Sequence, residues 1–397
     1  MIIKTTKYKT NVVSLRFKEP LTKENLGLRA FLPNVMVSKS PLYNSRKVLN
    51  EALEDLYGAT LSQRTFRQGL LSIVEFSITF INHKFTTEPL LENALKLLKD
   101  VVFGHKNLSK TEFLIEKKIA KDRILAFQNN KTSYALTRLF EVMFEGDNQS
   151  LISIGKLKDI ENVSYNQMNN YYKKFIKSSY DVLISGDFKD SDIELINSYF
   201  KGTNEKKDII DYVNKEPNYK EVIERDKINQ AKVNIGYLLP VRYKDEEFYQ
   251  AAIFNLVFGG DVHSRLFLNV REKHSLCYYV RSLYEPFKGF IYVVAGIDKG
   301  RVELALKVID EELEGLKKNL ISDDELLFSK QSYINSLKEA EDSQNRQLDS
   351  FYLQKELGLE TTAEMIEKIN AVTKEEVQQI ARKVTKDALY ILAPEEM

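Results

Sequence analysis

The chain has one cysteine, Cys277, in 397 residues. A lone thiol forms no internal disulfide, which suits a reducing compartment. A surplus of either charge is missing as well, since 58 Lys and Arg face 57 Asp and Glu. Nucleic acid and anionic membrane surfaces both call for a local excess of positive charge, so neither is expected as a partner. No stretch approaches the ~18 apolar residues of a membrane span, and residues 1–10 hold lysines but no apolar run of signal-peptide length. A cytoplasmic location is the expectation. What remains is an ordinary globular composition, 43% hydrophobic and 29% charged, long enough for two to three domains of about 100–200 residues.

The usual catalytic signatures are missing too. The four histidines, His83, His105, His263 and His274, are scattered, and none has a histidine three or four residues away. His274 and Cys277 are spaced to share a metal, but two ligands without a third rarely hold zinc. A surface histidine beside a small buried thiol is the plainer reading. There is no G-x-S-x-G elbow. The only adjacent glycine pair, Gly259-Gly260, is not followed by Lys-Ser/Thr at phosphate-loop spacing.

What is present is a repeat. Ser164-Tyr-Asn-Gln167 has the form of a capping box, followed by a helix and then the strand-like Asp181-Val-Leu-Ile184. Thr373-Lys-Glu-Glu376 repeats the plan 209 residues later, ending in the strand-like Tyr390-Ile-Leu392. Ala94-Leu-Lys96 matches Ala305-Leu-Lys307, Asn107-Leu108 matches Asn319-Leu320, and Ser45-Arg46 with Leu49-Asn50 matches Ser264-Arg265 with Leu268-Asn269. Four matches in one order, at similar offsets, indicate a duplicated unit. Residues 70–80 (LLSIVEFSITF) alternate as a strand, and residues 89–102 and 109–129 carry helical patterns. In the second half, 233–239 and 290–297 read as strands, with helices over 299–317 and 322–340. Residues 201–225 are polar and lack apolar periodicity, so the linker is placed there, between domains at 1–200 and 226–397. Strands mixed with long helices predict an α+β fold of two homologous domains, each a mostly antiparallel sheet covered by helices.

The most distinctive stretch, residues 258–279, reads FGGDVHSRLFLNVREKHSLCYY. It resembles the second-half signature of the pitrilysin/insulinase-like zinc peptidases, G-G-x-x-S-R-L-F-x-x-V-R-E-K-x-G-L-x-Y. The departures are Ser275 in place of glycine and one extra residue between Gly260 and Ser264. The family's duplicated plan spans essentially the whole chain, and it implies that the two domains form half of a clam-shell chamber. The same family carries H-x-x-E-H within G-L-x-H-F-L-E-H in its first half. Here the frame reads Gly27-Leu28-Arg29-Ala30-Phe31-Leu32-Pro33-Asn34, so Ala30, Pro33 and Asn34 replace two zinc ligands and the general base. The family's third ligand falls at Asp122 or Arg123.

The resemblance therefore implies a zinc-free subunit with no activity alone and no cofactor of its own, zinc being expected in a partner. In active members of the family, a second-half Arg and Tyr face the zinc across a closed chamber. Arg271 and Tyr278 hold those positions, where they are expected to donate to the substrate carbonyl and its oxyanion in trans. The expected partners are a homologous zinc-bearing peptidase subunit and extended peptide substrates. The alternatives are a non-catalytic scaffold or a peptide-binding subunit of a larger assembly, in which the two donors are relics.

Overall fold

The computed structural model describes residues 1–203 and 215–395. Two five-stranded sheets dominate it. The first holds β1 (Ile2–Lys4), β2 (Thr10–Pro20), β3 (Thr60–Gln68), β4 (Leu71–Ile81) and β5 (Tyr180–Gly186) in the order β1-β5-β2-β4-β3. The second holds β6 (Lys220–Asp226), β7 (Gln230–Leu238), β8 (Cys277–Glu285), β9 (Phe290–Asp298) and β10 (Thr385–Pro394) in the order β6-β10-β7-β9-β8. Strand for strand the two orders are the same. In each sheet one edge pair is parallel, β1 with β5 and β6 with β10, and the rest are antiparallel. The α+β fold expected from the sequence is the fold found. Both repeat capping boxes form: Gln167 and Glu376 backbone N–H groups donate to Ser164 Oγ and Thr373 Oγ1, each at 3.2 Å.

The first half of the chain supplies α1 (Lys23–Ser38), α2 (Arg46–Asp55), α3 (Leu91–Phe103), α4 (Lys110–Asn129) and α5 (Lys131–Met143). Side chains alternate across a strand, so β2 sends Val13, Leu15 and Phe17 into a core shared with α1 and α3. The opposite face of β2 carries Ser14, Arg16 and Lys18, and these are buried too. What covers them is the segment Gln344–Tyr352, which belongs to the first compact unit although it lies in the second half of the sequence. Asp349 pairs with Arg16, the Arg16 guanidinium lies 4.6 Å from the Tyr352 ring, and the Tyr352 hydroxyl donates to Asp181 at 3.0 Å. Lys18 and Asp181 form an ion pair at 2.8 Å with both side chains only 1% exposed.

The second unit solves the same problem with apolar groups. It takes Phe127–Ser150, and hence α5, from the first half of the sequence. Ala135, Leu139 and Met143 of that helix pack on Leu238, Phe290, Ala388, Tyr390 and Leu392 of the sheet. The approach is close enough to need glycine beneath it, since a Cβ at Gly236 would lie 2.1 Å from Met143 Sδ.

The linker expected at 201–225 ends differently. Residues 204–214 lie outside the described residues, but Lys220–Asp226 is strand β6, parallel to β10. Charged side chains along an edge strand discourage unwanted pairing and hide the alternation that marks an inner strand. Glu224, on this strand, is bound by Arg138, Tyr134 and Tyr390 at 2.7–3.0 Å. Among the described residues no helix is long and apolar enough to cross a membrane.

Breaking a buried ion pair from one side strands a charge at a cost of about 3–5 kcal/mol. Lys18→Met is expected to lower stability by about that much in urea unfolding, and Lys18→Met/Asp181→Leu to recover part of it, the remainder being the Tyr352 hydroxyl left without its acceptor. A double variant as unstable as the single one would show that the pair is not what Lys18 contributes.

Candidate functional site

Helix α1 carries the positions where zinc chemistry is expected. Thr22 opens it with a reciprocal cap, its N–H donating to Asn25 Oδ1 at 2.9 Å. Pro33 lies inside the helix and leaves it continuous to Ser38. Proline has no N–H, so the carbonyl of Arg29 four residues back loses its helical donor. The Thr65 hydroxyl on β3 donates to that oxygen instead, at 3.2 Å. Asn34 Oδ1 accepts from Gln63 Nε2 at 3.1 Å. A methyl group, a pyrrolidine ring and an engaged amide do not make a zinc site: no imidazole is present to bind metal and no carboxylate to take a proton from water. Among the described residues no group of three or more His, Cys, Asp or Glu side chains is placed to hold a metal ion.

Beside Asn34 lies a cleft of about 450 Å³ between α1, α2, α4 and the edge strand β3. Of the two positions considered for the third ligand, Arg123 lines this cleft and Asp122 does not. A cation therefore stands where the family frame calls for a carboxylate. Glu116, two turns earlier on α4 and 4% exposed, accepts from Ser38 Oγ at 3.1 Å and from the Arg46 guanidinium. In the second half Arg265 Nε donates to Glu325 Oε1 at 2.7 Å, but Glu325 is the third residue of its helix and Glu116 the seventh of α4, so the two matching arginines take carboxylates at different positions. Sequence reading found the Ser-Arg repeat but not this use of it.

Arg271 and Tyr278 both lie in the second unit. Arg271 sits on Leu266–Lys273, which is wound as a π-helix, a form common at functional sites. Its guanidinium lies 4.6 Å from the Phe267 ring and its side chain is part-exposed. The chain turns into β8 through Ser275, whose φ of 50° is left-handed. Glycine, the family's residue there, takes that conformation without steric cost. The register of β8 against β9 shifts between Cys277 and Tyr279, which leaves Tyr278 as the extra residue of a bulge. Tyr279 packs its ring over Gly296, whereas Tyr278 is 77% exposed. Burial pushes the intervening Cys277 thiol up to about 11, only partly offset by the Arg271 charge. The thiol is thus protonated at neutral pH and is a poor metal ligand.

A duplicated α+β chain with a degenerate metal motif and a nearly complete second-half signature defines a class, and comparison with known proteins places the chain within it. The family model described as the peptidase M16 inactive domain matches residues 162–333. A Bacillus subtilis protein named probable inactive metalloprotease YmfF is 31% identical over 98% of this chain and 94% of its own length. The uncharacterized zinc protease YmxG of the same organism is 26% identical over 76% of this chain and 75% of its own length. The crystal structure of a conserved protein from Enterococcus faecalis V583 superposes with a TM-score of 0.93 at 28% identity, covering 100% of this chain and 96% of that one. The chain belongs to the pitrilysin/insulinase-like M16 peptidase family and is an inactive, metalloprotease-like member of it.

The proline in α1 gives a double-mutant test. Thr65→Val is expected to cost about 1–2 kcal/mol by leaving the Arg29 carbonyl unsatisfied. In a Pro33→Ala background, where a backbone N–H becomes available at residue 33, the same change is expected to cost measurably less. Equal costs in the two backgrounds would show that the hydroxyl does not replace the missing donor.

Proposed function

We propose that this chain is the zinc-free subunit of a two-chain peptidase, closing over a homologous zinc-bearing subunit and presenting Arg271 and Tyr278 to the peptide being cut. The observation that carries this reading is the placement of Tyr278. Tyrosine is amphipathic and usually covers part of its ring, yet here a bulge holds it 77% exposed while its neighbour Tyr279 packs inward. An exposed phenol close in sequence to an exposed guanidinium, whose only ion-pair partner among the described residues is the likewise exposed Glu272 at 3.5 Å, is a pair of donors open to a ligand. Donors held in advance toward a developing oxyanion are worth about 10²–10³ in rate each. The metal that polarises the carbonyl and the carboxylate that activates water belong to the partner in this scheme. Peptides bind extended along a sheet edge, so backbone hydrogen bonds supply affinity and sequence preference stays loose.

The test is co-expression with a zinc-bearing homologue from the same organism. Peptide cleavage is expected to need both chains and to stop with a chelator. It should fall by about tenfold or more in Tyr278→Phe and in Arg271→Ala, with the complex still recovered by size-exclusion chromatography. Full activity in both variants would favour a scaffold or peptide-holding subunit in which the two donors are relics.

A further inference from the structure

Where β2 begins and β4 and β5 end, at the end of the first sheet away from the β3–β4 turn, lies a pocket of about 170 Å³. Its wall is apolar: Phe80 and Ile81 come from β4, Leu90 and Leu91 from the start of α3, and Phe188 from just beyond β5. Phe80, Leu90 and Phe188 are buried, whereas the lining residues His83, Pro89 and Lys189 are exposed, so the pocket opens to solvent on their side. A cavity of about 150 Å³ lined by leucine, isoleucine and phenylalanine takes up benzene. This one therefore has room for one ring or one branched chain.

One buried polar group faces this apolar space. Asn11 is 3% exposed and lines the pocket. Its Oδ1 accepts from the Asp187 N–H at 3.0 Å, and nothing among the described residues accepts from its Nδ2. A buried donor without an acceptor costs about 1–3 kcal/mol. The backbone makes room for this amide, since a Cβ at Gly186 would lie 2.2 Å from Asn11 Oδ1. The duplication shows that the fold does not require it. Asn11 pairs with Phe80 one step in from the end of the β2–β4 ladder, and Ala231 holds the same place against Ile297 in the β7–β9 ladder. A methyl group suffices in the second half, and only the first half keeps a donor with nothing to bind.

The charge around the pocket favours an anion. Helix α3 starts at Leu91 with no side-chain cap on its free N–H groups, and a helix start carries about half a positive charge. Glu92 in its first turn pairs with Lys96 at 2.9 Å and does not line the pocket. Lys189 adds a full positive charge. The opposing group is Asp192, whose carboxylate already accepts the Lys189 N–H at 2.8 Å and caps the helix Asp190–Tyr199. We propose that this pocket binds a small monocarboxylate bearing one ring or one branched chain. The hydrocarbon packs among Phe80, Leu90 and Phe188, and the carboxylate accepts from Asn11 Nδ2 in the positive field of the α3 start and Lys189. An apolar wall with a few placed polar groups is the usual make-up of a small-molecule site. The pocket shares no lining residue with the cleft beside Asn34 and uses neither Arg271 nor Tyr278, so the proposal stands or falls separately from the two-chain reading.

The experiment titrates the full chain alone with para-fluorophenylacetate and, separately, with the neutral para-fluorophenylethanol, followed by fluorine NMR. The acid is expected to bind about tenfold or more tightly than the alcohol, the range of a charge-assisted hydrogen bond. In Asn11→Ala, which installs the residue of the second half, that preference is expected to disappear. Leu91→Trp, at a half-buried position, puts an indole into the pocket and is expected to abolish binding of both probes, which keeps the test open should Asn11→Ala not fold. No binding of the acid, equal binding of acid and alcohol, or unchanged binding in Leu91→Trp would overturn the proposal, as would an undiminished preference in folded Asn11→Ala. Tighter binding of decanoate than of the aromatic acid would overturn the size assignment, because it would show a groove for long alkyl chains.

Discussion

Each sheet in this chain is buried on both faces, and helices from its own half of the sequence cover only one of them. The second face must be closed by a helix from elsewhere, and each unit takes that helix from the opposite half: Phe127–Ser150 for the second unit, Gln344–Tyr352 for the first. The chemistry of the two closures differs. Leu139 and Met143 bring an apolar face to Phe290 and Tyr390, which is stabilised by area removed from water. Asp349 and Tyr352 instead close over Arg16, Lys18 and Asp181. That set is stable only while every partner is present, since a half-satisfied buried network costs more than an apolar one. The duplication is thus exact in strand order and unequal in what holds the outer face of each sheet.

The same inequality runs through the two halves of the repeat. The first-half helix α1 keeps the length and position its frame requires while its metal chemistry is gone. The structure compensates locally, with Thr65 serving the carbonyl that Pro33 leaves without a donor and Gln63 engaging the Asn34 amide. In the second half the left-handed Ser275 and the bulge at Tyr278 preserve an exposed aromatic donor at some conformational cost. One half has lost its reactive groups and kept its shape, and the other has kept an arginine and an exposed tyrosine at its signature positions.

Much of this was legible in the residues. Alternation over 70–80 placed β4 to within a residue of Leu71–Ile81, and the boxes at Ser164 and Thr373 marked helix starts that form as written. Strand β6 escaped because Lys220–Asp226 is an edge strand with charge on most of its positions, so no apolar alternation shows. The exchange of helices escaped for a different reason. An apolar stripe states that α5 is buried, but not against which sheet. At the site, the positions of Ala30, Pro33 and Asn34 followed from the motif frame. The Arg46–Glu116 contact did not, because its residues lie 70 apart and no local pattern joins them. Arg123 was one of two alternatives, separated from Asp122 only by which side chain the helix turns toward the cleft.

The absence of a metal site in α1 is tested most directly by metal analysis of the purified full chain after equilibration with excess zinc and removal of free ion by gel filtration. A chain in which Ala30, Pro33 and Asn34 replace the ligands and the base should emerge without stoichiometric zinc, and its thermal unfolding should not change on adding zinc or a chelator. One zinc retained per chain, and lost in Asn34→Ala, would contradict it.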